Sequence, residues 1–282
     1  MIIRQNCKIN VGLKILDKRE DGYHNLISVF VPVSLYDTLR YKLTANKIIV
    51  ITNKIPQEKN IVYKVAKLMQ ERYNVKRGIK INIKKRIPLE AGLGGGSADA
   101  AITIKTLNKM WNLALSEEES YRLGEEIGSD VPFFIKNKLA VVEGRGEKIK
   151  ELKSGLRLSI IMIKPKIGFQ TKEVFEHLNK ESLSENNINE VIAGFKGNDL
   201  KRVVLNIKND LEKGIEYNSL KVEAINKIKQ DLTNVGALKS SMSGSGSCVY
   251  GIFDSSVKLN KVRVQLIKQG YKRKQIFVVT SL

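Results

Sequence analysis

Residues 88–101 read Pro-Leu-Glu-Ala-Gly-Leu-Gly-Gly-Gly-Ser-Ala-Asp-Ala-Ala, with glycine at four of the five positions from Gly92 to Gly96. The flanks of this stretch make it constraining. Upstream, Ile79, Ile81, Ile83 and Ile87 lie two or four apart among Lys80, Asn82, Lys84 and Lys85, which is the alternation of a half-buried strand. Downstream, residues 98–111 carry Ala101, Ile104, Leu107 and Trp111 at helical spacing, with the stem of Lys105 beside them. A strand must therefore become a helix through backbone that glycine leaves free to take positive φ and to approach a ligand closely. A helix opened this way presents unpaired N–H groups and the positive end of its dipole, which suits an anion such as phosphate. Two glycines would make a tight turn; four, ending in Ser97, point to a phosphate site. The stretch has neither the Gly-Lys-Ser/Thr ending of a P-loop nor the spacing Gly-x-Gly-x-x-Gly.

The rest of the chain alternates in the same way between strand and helix signals. Residues 2–16 alternate through Ile9, Val11, Leu13 and Ile15, placing Lys8 and Asn10 on the opposite face, and run into a polar turn at 17–22. Residues 27–35, 38–43 and 47–52 predict further strands. Asn60 predicts a helix cap, with Val62, Val65, Ala66 and Met69 on the inner face. Ser116-Glu-Glu-Glu119 has the form of a capping box, and Gly128 fits the C′ position at the end of that helix. A β-pair is expected at 139–142 and 147–152, turning at Gly144-Arg-Gly146. Beyond Ser154, strands are expected at 158–163, 248–253 and 275–280. Helices are expected at 171–178, 187–197, 199–213 and 219–232, with one more ending at Gly270. The class is α+β, with two layers in each half.

A chain of 282 residues, 42% hydrophobic, can bury one large or two medium cores. Cys7 and Cys248 lie far apart, and no extended apolar h-region is present near the N-terminus, so reduced thiols in the cytoplasm are expected. No apolar run reaches membrane-spanning length. The net charge of +20 is spread along the chain without a basic tail or block. That argues against a dedicated nucleic-acid surface and is sufficient to attract small anionic substrates.

Four further stretches bear chemistry. Cys7-Lys8-Ile9-Asn10 sets a cation and an amide on a strand. Asp21-Gly-Tyr-His24 is either a plain turn or, through Tyr23 and His24, a ring to stack on with hydrogen-bonding groups for a base or sugar. Gly128-Ser-Asp-Val-Pro-Phe-Phe134 holds an acid, Asp130, that needs a partner if buried. Ser243-Gly-Ser-Gly-Ser247 is a second loop of small residues whose amides suit phosphate.

In this order, with the glycine loop, these stretches resemble the GHMP small-molecule kinases over residues 4–253. Asp21-Gly-Tyr-His24 narrows the resemblance to the branch whose acceptor carries cytidine diphosphate. The resemblance implies a two-domain α+β fold. Residues 1–153 would form a ribosomal-type α/β domain binding ATP, residues 154–282 an α+β substrate-side domain, with a cleft between them. It also implies that ATP phosphorylates the 2-hydroxyl of cytidine-diphosphate-linked methylerythritol, with Mg²⁺, in isoprenoid precursor synthesis. Carried over by position, Lys8 and Asp130 are the catalytic pair. Pro88, Leu89, Glu90, Ala91, Gly92, Leu93, Gly94, Gly95, Gly96, Ser97 and Ala98 wrap the ATP phosphates. Asn10, Tyr23, His24, Thr171, Phe175, Gly244 and Gly246 face the acceptor. Cys7 stands where the family commonly has Ala or Ser, and Phe169-Gln170 departs from its usual pattern before Thr171. The metal ligands are unassigned, with Ser97 or a nearby acid as candidates. A monomer or weak homodimer is expected, without nucleic acid or membrane. The alternatives are a mevalonate- or homoserine-type kinase and a basic RNA-binding module, the latter lacking any RNP-type aromatic motif.

Overall fold

The alternation at the start of the chain becomes β1 (Ile2–Lys18), which turns and returns as β2 (His24–Thr44). The turn is closed by the Arg19 amide donating to the Tyr23 carbonyl at 2.7 Å. The computed structural model describes residues 1–53, 55–179, 183 and 185–282. From Cys7 to Leu13, β1 is buried on both faces, so Lys8 and Asn10 lie in the interior rather than on a wetted face. β2 is a single strand where alternation predicts two. The interruption falls at Asp37, a poor strand former, whose carboxylate accepts the amides of Arg86 at 2.5 Å and Ile87 at 2.9 Å. Those bonds satisfy its Oδ1 inside the sheet.

The chain divides into two compact units, each built from separated segments. One comprises Met1–Cys7, Leu35–Pro88 and Gly94–Asn137, the other Lys8–Ser34, Leu89–Leu93 and Lys138–Leu282.

In the first unit, β3 (Ile48–Ile51) runs parallel to β4 (Gly78–Lys84), with α1 (Ile61–Arg72) as the crossover. β4 pairs antiparallel with Thr38–Thr44 of β2. The Asn60 side chain accepts the Val62 amide at 2.9 Å, and α1 buries Val62, Val65, Ala66 and Met69 as expected. α2 (Gly95–Met110) packs on α1 and begins three residues before the apolar spacing predicts. It opens on Gly95 and Gly96, so its start carries no apolar signal. α3 (Glu117–Ile127) opens on the reciprocal Ser116–Glu119 capping box and ends at Gly128, whose backbone is extended rather than left-handed. The run after Asp130 forms α4 (Val131–Lys136), with Val131 to Ile135 all buried and Pro132 in the first turn, where no amide is needed.

In the second unit, Leu26–Phe30 of β2 pairs antiparallel with β5 (Ala140–Gly144), which pairs with β6 (Lys148–Glu151). A second, antiparallel sheet has the order β10 (Ile276–Thr280), β7 (Ser159–Ile163), β9 (Val249–Phe253), β8 (Lys239–Met242). α5 (Thr171–Glu176) adds Val174 to the core of this sheet, α6 (Ile188–Lys196) packs on α7 (Leu200–Asn206), and α8 (Ser219–Asn234) and α9 (Leu259–Lys268) pack on the sheet. Ile161, Ile163, Ile225, Leu232, Phe253 and Leu266 share its core. The helix expected over 199–213 breaks after Asn206, because Asn209 accepts the Leu211 amide and starts a separate 3₁₀ segment, Asp210–Ile215. β8 has no strand signal in Lys-Ser-Ser-Met; pairing with β9 makes it one. Among the described residues no helix is long and apolar enough to cross a membrane.

Candidate active site

Lys8 and Asn10 are only 3% and 2% exposed, and a buried ammonium demands polar partners. Lys8 Nζ donates to Asn10 Oδ1 at 2.7 Å and lies 4.0 Å from the centre of the Phe30 ring. Asn10 is held on every side. Its Nδ2 donates to Ser28 Oγ at 3.0 Å, its amide donates to Ser243 Oγ at 3.2 Å, and its carbonyl accepts the Tyr250 hydroxyl at 2.9 Å. Such a network leaves the Lys8 head one orientation, fixed from two strands and the second small-residue loop.

That loop and the glycine loop lock together within the second unit. Ser243 Oγ donates to the Gly92 carbonyl at 2.9 Å, the Ser247 amide to Glu90 at 3.3 Å and the Cys248 amide to Ala91 at 3.2 Å. The Lys8 amide donates to the Leu93 carbonyl at 3.2 Å. Gly92 has φ +68°, and a Cβ there would sit 1.8 Å from the Ser243 carbonyl oxygen. Gly244 and Gly246 also take positive φ, +54° and +81°. Thr171 joins the same loop, its Oγ1 lying 2.9 Å from Ser245 Oγ. Phe169-Gln170 therefore does not keep Thr171 away from the loop.

The Asp21-Gly-Tyr-His24 turn is built by Asp21, which accepts the Tyr23 amide at 3.1 Å and pairs with Arg19. It presents Tyr23, 52% exposed, under the Arg145 guanidinium at 3.7 Å. His24 stacks on Phe175 with ring centres 5.4 Å apart. The structure thus gathers Lys8, Asn10, Tyr23, His24, Gly92, Thr171, Phe175, Gly244 and Gly246 in one unit. Pro88, Gly94 to Ala98 and Asp130 belong to the other, with Asp130 at the N-cap position of α4 and half-buried. Burial pushes the Cys248 thiol up to about 12, which keeps it protonated and unreactive.

The description "GHMP kinases N terminal domain" matches residues 60–138, and "GHMP kinases C terminal" matches residues 191–272. A 4-diphosphocytidyl-2-C-methyl-D-erythritol kinase of Caldanaerobacter subterraneus subsp. tengcongensis is 40% identical over 260 residues, 91% of this chain and 89% of that protein. One of Clostridium beijerinckii is 37% identical over the full length of both. The chain belongs to the GHMP kinase family. It is an ATP-dependent kinase of the two-domain α+β fold. A crystal structure of 4-(cytidine 5'-diphospho)-2C-methyl-D-erythritol kinase, 25% identical, superposes with a TM-score of 0.85 over 100% of this chain and 99% of that one.

In this GHMP kinase the first unit holds a buried cluster that the sequence reading does not single out. Lys85 Nζ lies 2.5 Å from Asp37 Oδ2 and 2.8 Å from Asp99 Oδ2, with all three side chains at most 3% exposed. Asp37 holds the amides of Arg86 and Ile87 just before Pro88, while Asp99 is the fifth residue of α2. Lys85 therefore ties the strand exit to the helix start, on either side of the glycine loop. Burial pushes Asp99 up to about 7, opposed by Lys85 and reinforced by Asp37, and its Oδ1 is buried without a hydrogen bond. Burial also works against the Lys85 ammonium, but Asp99 and Asp37 outweigh it and raise its pKa. The one signal in the sequence is an aspartate interrupting an otherwise continuous strand pattern.

Proposed function

We propose that this kinase transfers the γ-phosphoryl group of ATP to the 2-hydroxyl of 4-(cytidine 5'-diphospho)-2-C-methyl-D-erythritol, releasing ADP, in isoprenoid precursor synthesis. The names of the relatives support this acceptor, and one feature of the chain carries it. The stacked His24–Phe175 pair beside the half-exposed Tyr23 ring is a platform suited to a flat base, which a small alcohol would not use.

Lys8 and Asp130 act on the hydroxyl. As the new O–P bond forms, the bond from Pγ to the ADP oxygen breaks and Asp130 takes the hydroxyl proton. A carboxylate is a weak base toward an alcohol, so the proton moves late in a loose transition state. Lys8, aimed by Asn10, balances charge on the attacking oxygen. The amides of the glycine loop hold the phosphates, at about 1.5–3 kcal/mol for each charge-assisted hydrogen bond. Mg²⁺ supplies charge neutralisation on those phosphates. Among the described residues no group of three His, Cys, Asp or Glu side chains is able to hold a metal. An ion carried by phosphates needs few protein ligands, and the Ser97 hydroxyl, in the first turn of α2, fits as one. The same reading expects a monomer or weak homodimer without nucleic acid, working in the cytoplasm.

A panel assay with ATP and Mg²⁺ tests the acceptor. Turnover is expected with the cytidylylated methylerythritol and not with mevalonate or homoserine; the reverse would move the chain to another branch of the family. Asp130→Asn is expected to lower kcat by about 10²-fold or more while KM for ATP is kept. Near-normal kcat would end the role given to Asp130.

A further inference from the structure

Behind the Ser243–Ser247 loop, the second unit contains an open cavity of about 690 Å³. Its walls are the 3₁₀ segment Asp210–Ile215, α8 and β8. Lys208, Lys213, Lys229 and Lys239 line it together with Glu212, Glu216 and Asp210, and Val222 and Leu238 add an apolar side. The Asp210 carboxylate oxygens accept the Ile15 amide and Asn186 Nδ2. Three of the four lysines are occupied, Lys213 by Glu216 at 2.9 Å. Lys229 Nζ lies 2.5 Å from Glu212 Oε2, and Lys208 Nζ donates to the Glu185 carbonyl. Lys239 is half-buried, and no hydrogen bond or ion pair to its ammonium is found among the described residues. Burial and then Lys229 hold its pKa below the usual lysine value, with Lys208 acting in the same sense and Glu212 opposing. A partly desolvated ammonium crowded by two more cations is a cost to the folded chain that an anion would relieve.

The cavity wall is also the support of the small-residue loop. Glu212 Oε1 accepts Ser241 Oγ at 3.0 Å and the Met242 amide at 2.9 Å. Asn209 Nδ2 donates to the carbonyls of Met242 and Gly244, both at 2.8 Å.

We propose that this cavity is a second anion site, distinct from that of ATP, which takes a small molecule bearing one or two phosphoryl groups on Lys239, Lys229 and Lys208. Phosphoryl oxygens bound there compete with Glu212 for Lys229. Because Glu212 also holds the Met242 amide, occupancy is felt at the loop that holds Gly92 and Asn10.

Inorganic phosphate and inorganic pyrophosphate are suitable ligands for the test, titrated calorimetrically at constant ionic strength with adenylyl imidodiphosphate saturating the ATP side. Pyrophosphate is expected to bind one site per chain with a submillimolar Kd, weakened tenfold or more in Lys239→Gln. That variant removes an unpaired cation, so it is expected to melt no lower than the parent, which separates lost binding from lost fold. Its uninhibited kcat and KM are expected to be unchanged. Pyrophosphate is expected to shift kcat or KM at least twofold in the parent and not in the variant. Absence of binding, binding equally tight in Lys239→Gln, or binding abolished by the ATP analogue would overturn the site. Binding without any kinetic shift would overturn the coupling to the loop.

Discussion

Two glycines of the same loop separate what the fold requires from what a ligand requires. At Gly92 a Cβ would meet the Ser243 carbonyl oxygen at 1.8 Å, in backbone of φ +68°. The left-handed region alone costs an ordinary residue about 1–2 kcal/mol, and the carbonyl belongs to a loop that Asn209 holds in place. Gly92→Ala is expected to lose more than about 2 kcal/mol in urea melts, with kcat falling as well. At Gly96 the nearest atom to a Cβ is Ile61 Cγ2 at 3.8 Å, and the backbone is helical. Gly96→Ala is therefore expected to keep or slightly raise stability, since alanine favours the helix by up to about 1 kcal/mol. If the loop cradles phosphate, the added methyl group is expected to raise KM for ATP about tenfold. An unchanged KM would remove Gly96 from the phosphate site. The four glycines are visible in the sequence as a cluster, but their division of labour is not. What distinguishes Gly92 is a partner 151 residues further along the chain.

At the scale of elements, the cluster of Lys85, Asp37 and Asp99 joins β2, the exit of β4 and the start of α2. Two carboxylates share one ammonium in a dry interior, so one negative charge is in excess. Asp99, pushed up to about 7 chiefly by burial, holds its proton in the folded chain over a range where the unfolded chain, with a pKa of about 3.9, has lost it. The native state then binds more protons than the unfolded state. Stability from this group accordingly falls as pH rises from about 4 to about 7, and the whole penalty is present above 7. Asp99→Asn carries no such charge. Its stability relative to the parent is expected to improve across that window, by at most about 1.4 kcal/mol per pH unit. Thermal or urea melts at pH 4.5, 6 and 8 read this directly; a difference independent of pH would show that Asp99 is ionised throughout. The elements themselves were largely legible. Alternation located β1 and β4, apolar runs located β7 and β9, and side-chain caps located α1 and α3. The signal failed where tertiary partners override local preference. Asp37 sits inside a strand because two amides and an ammonium are brought to it. Gly95 and Gly96 start a helix despite poor propensity, and β8 is a strand only through β9.

For the whole molecule, the surplus of 49 Lys and Arg over 29 Asp and Glu has no single structural cause. Most of these cations are exposed and spread over both units, while the two proposed substrates, ATP and a cytidine diphosphate ester, are polyanions. A field of one sign raises the encounter rate of oppositely charged ligands, and salt removes it as the Debye length shrinks from about 10 Å at 0.1 M to about 3 Å at 1 M. Raising KCl from about 0.05 M to about 0.5 M is therefore expected to lower kcat/KM several-fold for both substrates. In the proposed mechanism the chemical step is set by buried groups such as Lys8, which salt screens little, so kcat is expected to hold. The split matters because a general loss of stability in salt would lower kcat too. A flat kcat/KM across the series would mean that the charge on the surface does not guide substrates, and that capture rests on the loops alone. A fall in kcat/KM for ATP but not for the acceptor would place the working part of the field on the nucleotide side.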